Sequence, residues 1–166
     1  AHANYTHTYM VDGRPRVFDA KILPDDTHYT DADADPNWGT FLVMGLRMGA
    51  KHISVTEDFG AGAETRSFDP TYICLDITDP RNPRLMWERT YPNAAMTWSR
   101  PAPLKVGDRW YLAFGSGPTD YDGTSNQPGY LYVADLATGD QLRRFGPIES
   151  AASLGFFNDP VTFDKG

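Results

Sequence analysis

An acidic stretch near the N-terminus carries the side chains best suited to chemistry. Residues 23–39, LPDDTHYTDADADPNWG, contain Asp25 and Asp26 and then Asp31, Asp33 and Asp35 at alternate positions. Calcium takes about six to eight oxygen ligands and tolerates irregular geometry, so alternate carboxylates in a loop can converge on one ion. The sequence therefore predicts Asp31, Asp33 and Asp35 as ligands of a Ca²⁺ ion.

This acidic stretch differs from the EF-hand calcium loop. Counting from Asp31, Pro36 stands where that loop needs Gly, and Leu42 stands where it needs Glu. The alternative to a metal site is an acidic loop surrounded by water. Both interpretations remain open from the residues alone.

Other candidate sites have ordinary structural explanations. Asp120 and Asp122, in GPTDYDGTSNQPG, indicate a turn that uses Gly123. The four histidines lack the close spacing of a zinc site, and the sequence contains no Gly-x-Ser-x-Gly nucleophile motif. The single Cys74, between Ile73 and Leu75, is typical of a buried small hydrophobe.

Composition and charge exclude several kinds of partner. The 166 residues include 22 Asp and Glu against 15 Lys and Arg, a formal net charge of -7. Nucleic acids and anionic membranes bind basic surfaces, so neither is expected as a partner. The sequence lacks an apolar run of about 18 residues that would cross a membrane. No charged-then-apolar leader opens the sequence, so either the protein is cytosolic or an export signal lies upstream of Ala1, and we expect an excerpt of a longer protein.

Two landmarks repeat at one period along the chain. In the first, PTYICLDITDPRNPRLMWERTY resembles PGYLYVADLATGDQLRRFGP, and Asp76 aligns with Asp135. In the second, SRPAPLKVG resembles NDPVTFDKG, and Pro101 aligns with Pro160. Both aligned pairs are 59 residues apart. Agreement between two landmarks predicts a structural repeat of that length.

Each repeat has the pattern of four strands. APLKV, RWYLAFGSG, GYLYVADLA and QLRRFG form one unit; RVFDAKIL, GTFLVMGLRMG, TYICLDIT and RLMWERT form the unit before it, with loops inserted at 24–38 and 50–69. In YLYVADLA the residues alternate between two faces, as in a strand packed between neighbouring sheets. Many aromatic residues and frequent Gly and Pro favour strands over helices.

The predicted fold class is all-β: a partial β-propeller of four-stranded blades, with about two and a half blades present. The whole chain, residues 1–166, is one fragment of a propeller domain. Its blade-like units are residues 14–91, 99–147 and the start of a third at 156–166. Propellers have about four to eight blades, so this fragment would leave sheet edges exposed. A small β-sandwich with similar hairpins is the alternative.

The order of these motifs resembles a known family. The VDG-P-V-DA opening (Val11 to Ala20), the strand LVMGLRMG, the unit LDITDP with LMWE and the unit WSRP with FGSG are similar to the C-terminal β-propeller of the PilC/PilY family. These are type IV pilus tip-associated adhesin and biogenesis proteins. The resemblance covers nearly the whole chain, and it implies that the four-stranded blades are quinoprotein-like.

The resemblance implies a non-catalytic surface module that acts in pilus biogenesis, twitching motility and adhesion. It implies a location at the bacterial cell surface or pilus tip, in association with the outer membrane. The implied partners are pilus components such as minor pilins, or a host or abiotic surface. Several family members bind calcium through an Asp-rich loop that would begin here at about Asp164, but the chain ends at Gly166. That site is therefore not transferred to this chain.

The alternative function is a propeller enzyme of the quinoprotein dehydrogenase kind. Such an enzyme would hold a quinone cofactor and Ca²⁺ in the central channel, often beside a vicinal Cys pair. The single Cys74 argues against it, and the shared repeat does not distinguish the two functions. We predict that the chain is not an enzyme.

Overall fold

A computed structural model describes residues 9–24, 37–58, 60–148 and 157–162. Within these residues the chain is all-β, with ten strands and one 3-10 turn, Arg47–Ala50. No helix in these ranges is long and apolar enough to cross a membrane. The strands are β1 Arg16–Lys21, β2 Trp38–Gly45, β3 Ile53–Asp58, β4 Ala63–Phe68, β5 Tyr72–Asp76, β6 Arg84–Arg89, β7 Ala102–Val106, β8 Arg109–Gly115, β9 Gly129–Asp135 and β10 Gln141–Ile148.

The strands form two four-stranded antiparallel sheets and one separate hairpin. The first sheet has the order β1-β2-β5-β6, and the second has the order β7-β8-β9-β10. In each sheet, neighbours in space follow one another along the chain, except that the β3–β4 hairpin interrupts the first. The predicted all-β class is therefore confirmed. The propeller, its blade number and the division into units remain predictions.

Alternation along the strands explains why each sheet buries one face. In β2, every second residue from Gly39 to Gly45 is buried. In β9 and the residue after it, Tyr132, Ala134 and Leu136 are fully buried, whereas Leu131 and Val133 are only partly buried. Successive side chains of a strand point to opposite sides, so each sheet turns one apolar face towards the other.

A layer of aromatic rings joins the two sheets. Phe114 and Tyr132 stack with ring centroids 5.3 Å apart and planes 12° apart, and Tyr72 of the first sheet lies 4.5 Å from Phe114. Tyr91, in the connection between the sheets, packs against Phe114 at 4.8 Å. Such pairs add about 0.5–1.5 kcal/mol to the stabilisation that area burial provides. This aromatic layer is the centre of the core.

The polar groups of this layer are all bonded to backbone carbonyls. The hydroxyls of Tyr72, Tyr91 and Tyr132 donate to the carbonyls of Ser99, Gly139 and Pro92 at 2.6–2.7 Å. The Nε1 of Trp87 donates to the carbonyl of Leu136 at 2.8 Å, which ties β6 to the second sheet. An unbonded buried hydroxyl is costly, so these bonds fix the orientation of the rings.

The hairpin at 53–68 differs from the sequence-based expectation of an inserted loop at 50–69. Its strands carry mainly hydroxyl and charged side chains, so they lack the alternation of apolar residues that marks a half-buried strand. Cross-strand bonds hold it instead: the hydroxyls of Ser54 and Ser67 lie 2.9 Å apart, and those of Thr56 and Thr65 lie 2.8 Å apart. All residues of the two strands except Val55 are exposed.

Replacing Phe114 tests whether the aromatic layer holds the sheets together. We expect Phe114→Ala to lower the free energy of unfolding by about 3–5 kcal/mol, because the fully buried ring contacts three aromatic neighbours. Phe145→Ala is the matched control: its ring is 52% exposed, and we expect a change below about 1 kcal/mol. Urea denaturation followed by circular dichroism measures both. Equal losses in the two variants would contradict this account of the core.

Candidate functional site

The predicted calcium ligands Asp31, Asp33 and Asp35 lie outside the described residues, as do Asp25 and Asp26. Asp164, where the family's calcium loop would begin, also lies outside them. The described residues contain no group of three or more His, Cys, Asp or Glu side chains placed to hold a metal ion. The calcium site therefore stays a prediction.

The second acidic stretch is a turn, as predicted. Gly123 has a φ of +82°, and the Oδ1 of Asp122 accepts bonds from the amide and hydroxyl of Thr124 at 2.9 and 2.7 Å. The Oδ1 of Asp120 accepts bonds from the ammonium of Lys51 at 3.0 Å and from the amide of Tyr121 at 2.8 Å. The bonds from Lys51 and Thr124 are the main reason that the pKa values of Asp120 and Asp122 are lowered. These internal bonds explain the acidic residues without a metal.

The repeated aspartates have the same local role in both sheets. The Oδ1 of Asp76 accepts bonds from the amide and hydroxyl of Thr78 at 3.0 and 2.6 Å. The Oδ1 of Asp135 accepts bonds from the amides of Ala137 and Thr138 at 2.9 and 3.1 Å. Each carboxylate thus stabilises the turn that follows the third strand of its sheet. The sequence repeat is therefore matched by equivalent hydrogen bonds of Asp76 and Asp135 in the two sheets.

Buried titratable groups belong to the core. Burial, with a smaller contribution from Asp76, raises the pKa of the Cys74 thiol to about 12. Burial also raises the pKa values of Tyr72, Tyr91 and Tyr132. These groups are neutral at pH 7, and Cys74 has the low reactivity expected of a buried thiol.

Three hydrogen bonds join residues that are one repeat apart. The Ser99 hydroxyl donates to the carbonyl of Asn158, the Arg100 amide donates to Asp159 Oδ1, and the Thr162 hydroxyl donates to the carbonyl of Pro103, at 2.7–3.1 Å. Each pair is separated by 59 residues, the repeat length. Residues 157–162 therefore lie beside the start of β7, with equivalent positions adjacent.

Asp159 forms ion pairs with arginines from two distant parts of the chain. Its Oδ2 lies 3.1 Å from Arg14 Nη2 and 3.6 Å from Arg100 Nε, and its side chain is only 18% exposed. Arg14, Arg100 and Asp159 each precede the proline at the start of their repeat unit. Positions far apart in the sequence thus meet at one edge of the two sheets. We call Arg14, Arg16, Arg100 and Asp159 the Asp159 cluster.

Arg16 adds a third guanidinium to this cluster. Partial burial lowers its pKa, and the charge of Arg100 lowers it further, while the charge of Asp159 opposes both effects. The Nε atoms of Arg16 and Arg100 are both shielded from water; within the described part of the chain the Arg16 Nε has no hydrogen-bond partner, and the Arg100 Nε has only the Asp159 carboxylate, at the long distance of 3.6 Å. Shielded donors without an acceptor cost about 1–3 kcal/mol each. The cluster is polar, partly desolvated and incompletely bonded.

The sequence analysis missed this cluster, although its signal was present. Aligning SRP with NDP places Arg100 opposite Asp159, and the earlier GRP places Arg14 at the same position. The bonds between residues 59 apart show that equivalent positions of neighbouring units lie side by side, so the Asp at one of these positions pairs with the Arg at the other two.

The described residues define an all-β protein built from repeated antiparallel sheets. The chain consists of repeated four-stranded antiparallel sheets that pack face to face, with charged residues converging at one sheet edge. No protein-family model matches the sequence.

The sequence is similar to proteins of the type IV pilus system. A type IV pilus biogenesis factor PilY1 homolog of Xylella fastidiosa is 28% identical over 152 residues, 87% of this chain and 8% of that protein. The type IV pilus biogenesis factor PilY1 of Pseudomonas aeruginosa is 25% identical over 142 residues, 83% of this chain and 9% of that protein. The chain thus spans less than a tenth of the length of these relatives.

A solved structure has the same fold. The crystal structure of the Pseudomonas aeruginosa PilY1 C-terminal domain matches with a TM-score of 0.63 and 23% identity, over 93% of this chain and 25% of that one. Together with the sequence relatives, this match confirms the resemblance to a fragment of the PilC/PilY family. The motifs that carried the resemblance lie mainly in strands: LVMG in β2, LMWE in β6 and FG at the end of β8.

Removing the charge of Asp159 tests its role in joining the repeats. We expect Asp159→Asn to lower the free energy of unfolding by about 1–3 kcal/mol, because the arginines lose their shared counterion. The loss should shrink as salt is added, since salt screens the repulsion that remains among the arginines. Asp108→Asn, on the exposed β7–β8 turn, is the control and should change stability by less than about 0.5 kcal/mol. Urea denaturation at low and high ionic strength measures both variants, and equal, salt-independent losses would contradict the assignment.

Proposed function

We propose that this chain is a non-catalytic module of a surface protein of the type IV pilus system, acting in pilus biogenesis, twitching motility and adhesion. The observation that carries the proposal is the similarity to PilY1 proteins over more than four-fifths of the chain. The proposed location is the cell surface or pilus tip, with association to the outer membrane. Pilus components such as minor pilins, or a host or abiotic surface, are the proposed partners.

In this proposal the two sheets are blades of a β-propeller. Each sheet is a four-stranded meander, the unit of which propellers are built. The three hydrogen bonds between residues 59 apart support the same interpretation, because equivalent inner positions of neighbouring blades lie side by side. A module of this kind acts through its surfaces. The relatives are named as pilus biogenesis factors, which does not favour a quinoprotein dehydrogenase.

We place the proposed calcium site in the acidic stretch between β1 and β2. Asp31, Asp33 and Asp35 supply carboxylates at alternate positions, which suits a hard cation. Metal binding at these carboxylates would change the charge of the surface offered to a partner. Calcium would modulate binding in this way without taking part in any reaction.

Calorimetric titration of the chain with CaCl₂ tests the calcium proposal. We expect saturable binding that disappears when Asp31, Asp33 and Asp35 are changed to Asn, because the ion loses its charged ligands. The matched control changes Asp120 and Asp122 to Asn, since their carboxylates are already bonded to Lys51 and to Thr124, and should bind calcium as the unchanged chain does. No binding heat at millimolar calcium would leave the loop as an acidic, solvated segment.

The pilus role is tested in the protein that carries this sequence, in its source organism. Phe114→Asp places a charge in the aromatic layer and should abolish twitching and reduce surface pili at least tenfold. Phe145→Asp, at an exposed position of β10, should leave both unchanged. Twitching zones and the pilin content of sheared surface fractions provide the measurements. Normal piliation with Phe114→Asp, at normal protein levels, would overturn the proposed role.

A further inference from the structure

The Asp159 cluster carries an excess of positive charge in an acidic chain. Arg14 and Arg100 flank the carboxylate of Asp159, and Arg16 carries a positive charge that interacts with Arg100 and Asp159, whereas the whole chain has a formal net charge of -7. Asp159 is the carboxylate that the described residues bring to ion-pair distance of Arg14 and Arg100. The local excess therefore remains after every described partner is counted.

The arrangement of the donors suits one further anion. Arg14 has a side chain that is 72% exposed, so its guanidinium is accessible from solvent while it pairs with Asp159. Arg16 and Arg100 are partly buried; in the described part of the chain the Arg16 Nε has no acceptor, and the Arg100 Nε has only the Asp159 carboxylate at 3.6 Å. An incoming anion would reduce the repulsion among the arginines and offer acceptor oxygens to their remaining N–H groups. Desolvated, closely spaced cations gain more from such a partner than exposed ones do.

The chemistry of the cluster favours a carboxylate. Arginine presents a planar fork of N–H groups that matches the two oxygens of a carboxylate, and it pairs more specifically than lysine does. The cluster already holds one carboxylate, Asp159, through Arg14, Arg100 and the amide of Arg100. A second carboxylate would therefore meet the same type of donors from the solvent side.

We propose that Arg14, Arg16 and Arg100 form a binding site for a carboxylate group of a partner protein. The group is an acidic side chain or the C-terminus of the partner, which share this chemistry. The site lies where the starts of the repeat units converge. It does not depend on the calcium loop, and it goes beyond the proposed pilus role because it assigns a recognition chemistry to named residues.

Calorimetric titration with short peptides on the 166-residue chain tests this site and separates the two sources. One peptide has two internal Glu residues and blocked termini, and the other has only Gly residues and one free C-terminal carboxylate. A Gly peptide with both termini blocked is the neutral control. At low ionic strength we expect at least one carboxylate peptide to bind, and its affinity to fall as salt is added. The peptide that binds more tightly shows whether the site prefers an acidic side chain or a C-terminal carboxylate.

Paired arginine variants assign the binding to this cluster. The double variant Arg14→Gln and Arg16→Gln should weaken peptide binding at least tenfold. The double variant Arg81→Gln and Arg84→Gln removes the same charge from exposed positions beside and within β6 and should bind as the unchanged chain does. Arg14→Gln alone removes a largely exposed side chain, so it tests the site even if the double variant folds poorly.

Three outcomes would overturn the proposal. These are equal weakening in the two double variants, absence of binding by both carboxylate peptides at millimolar concentration, and binding of inorganic phosphate as tight as that of the peptides. The first would mean attraction by overall charge, and the third would mean a site for oxyanions in general. A loss of peptide binding in Arg14→Gln, with an unchanged melting curve, would support the proposal independently of the pilus experiment.

Discussion

The bond between the Tyr72 hydroxyl and the carbonyl of Ser99 connects the core to the polar edge of the molecule. Tyr72 is nearly fully buried in the aromatic layer, and Ser99 immediately precedes Arg100. The Ser99 hydroxyl continues this connection, because it accepts a bond from the amide of Gly115 and donates one to the carbonyl of Asn158. The position of the Asp159 cluster thus depends on the packing of rings in the core.

The same layer also fixes the chain between the sheets. Tyr132 donates to the carbonyl of Pro92, and Tyr91 donates to the carbonyl of Gly139 in the β9–β10 turn. Gly139 has a φ of +72°, and a Cβ there would lie 2.6 Å from the Trp87 ring, so both its conformation and its contacts require glycine. Residues from both sheets are therefore held by a few bonds with little freedom to shift.

The strands could be predicted where burial imposes a pattern on the sequence. The stretches APLKV, RWYLAFGSG and GYLYVADLA contain β7, β8 and β9, because half-buried strands need alternating apolar residues. The β3–β4 hairpin could not be found in this way, since both of its faces meet solvent and its bonds join hydroxyl groups. The Asp159 cluster depends on contacts between repeats, which a single stretch of sequence does not show. The pairing of Arg100 with Asp159 nevertheless follows from the repeat length once the units are known to lie side by side.

The exposed hairpin has a consequence for engineering the protein. Asp58 accepts bonds from the amides of Gly60 and Gly62 at 2.8 and 3.0 Å, so one side chain closes the turn. At both glycines a Cβ would meet nothing within 4 Å, and the strands on either side contribute nothing to the core. A foreign peptide inserted at this tip would extend into solvent without crossing any packed surface. The hairpin is therefore the natural place to carry an epitope or a fluorescent label while both sheets keep their native contacts.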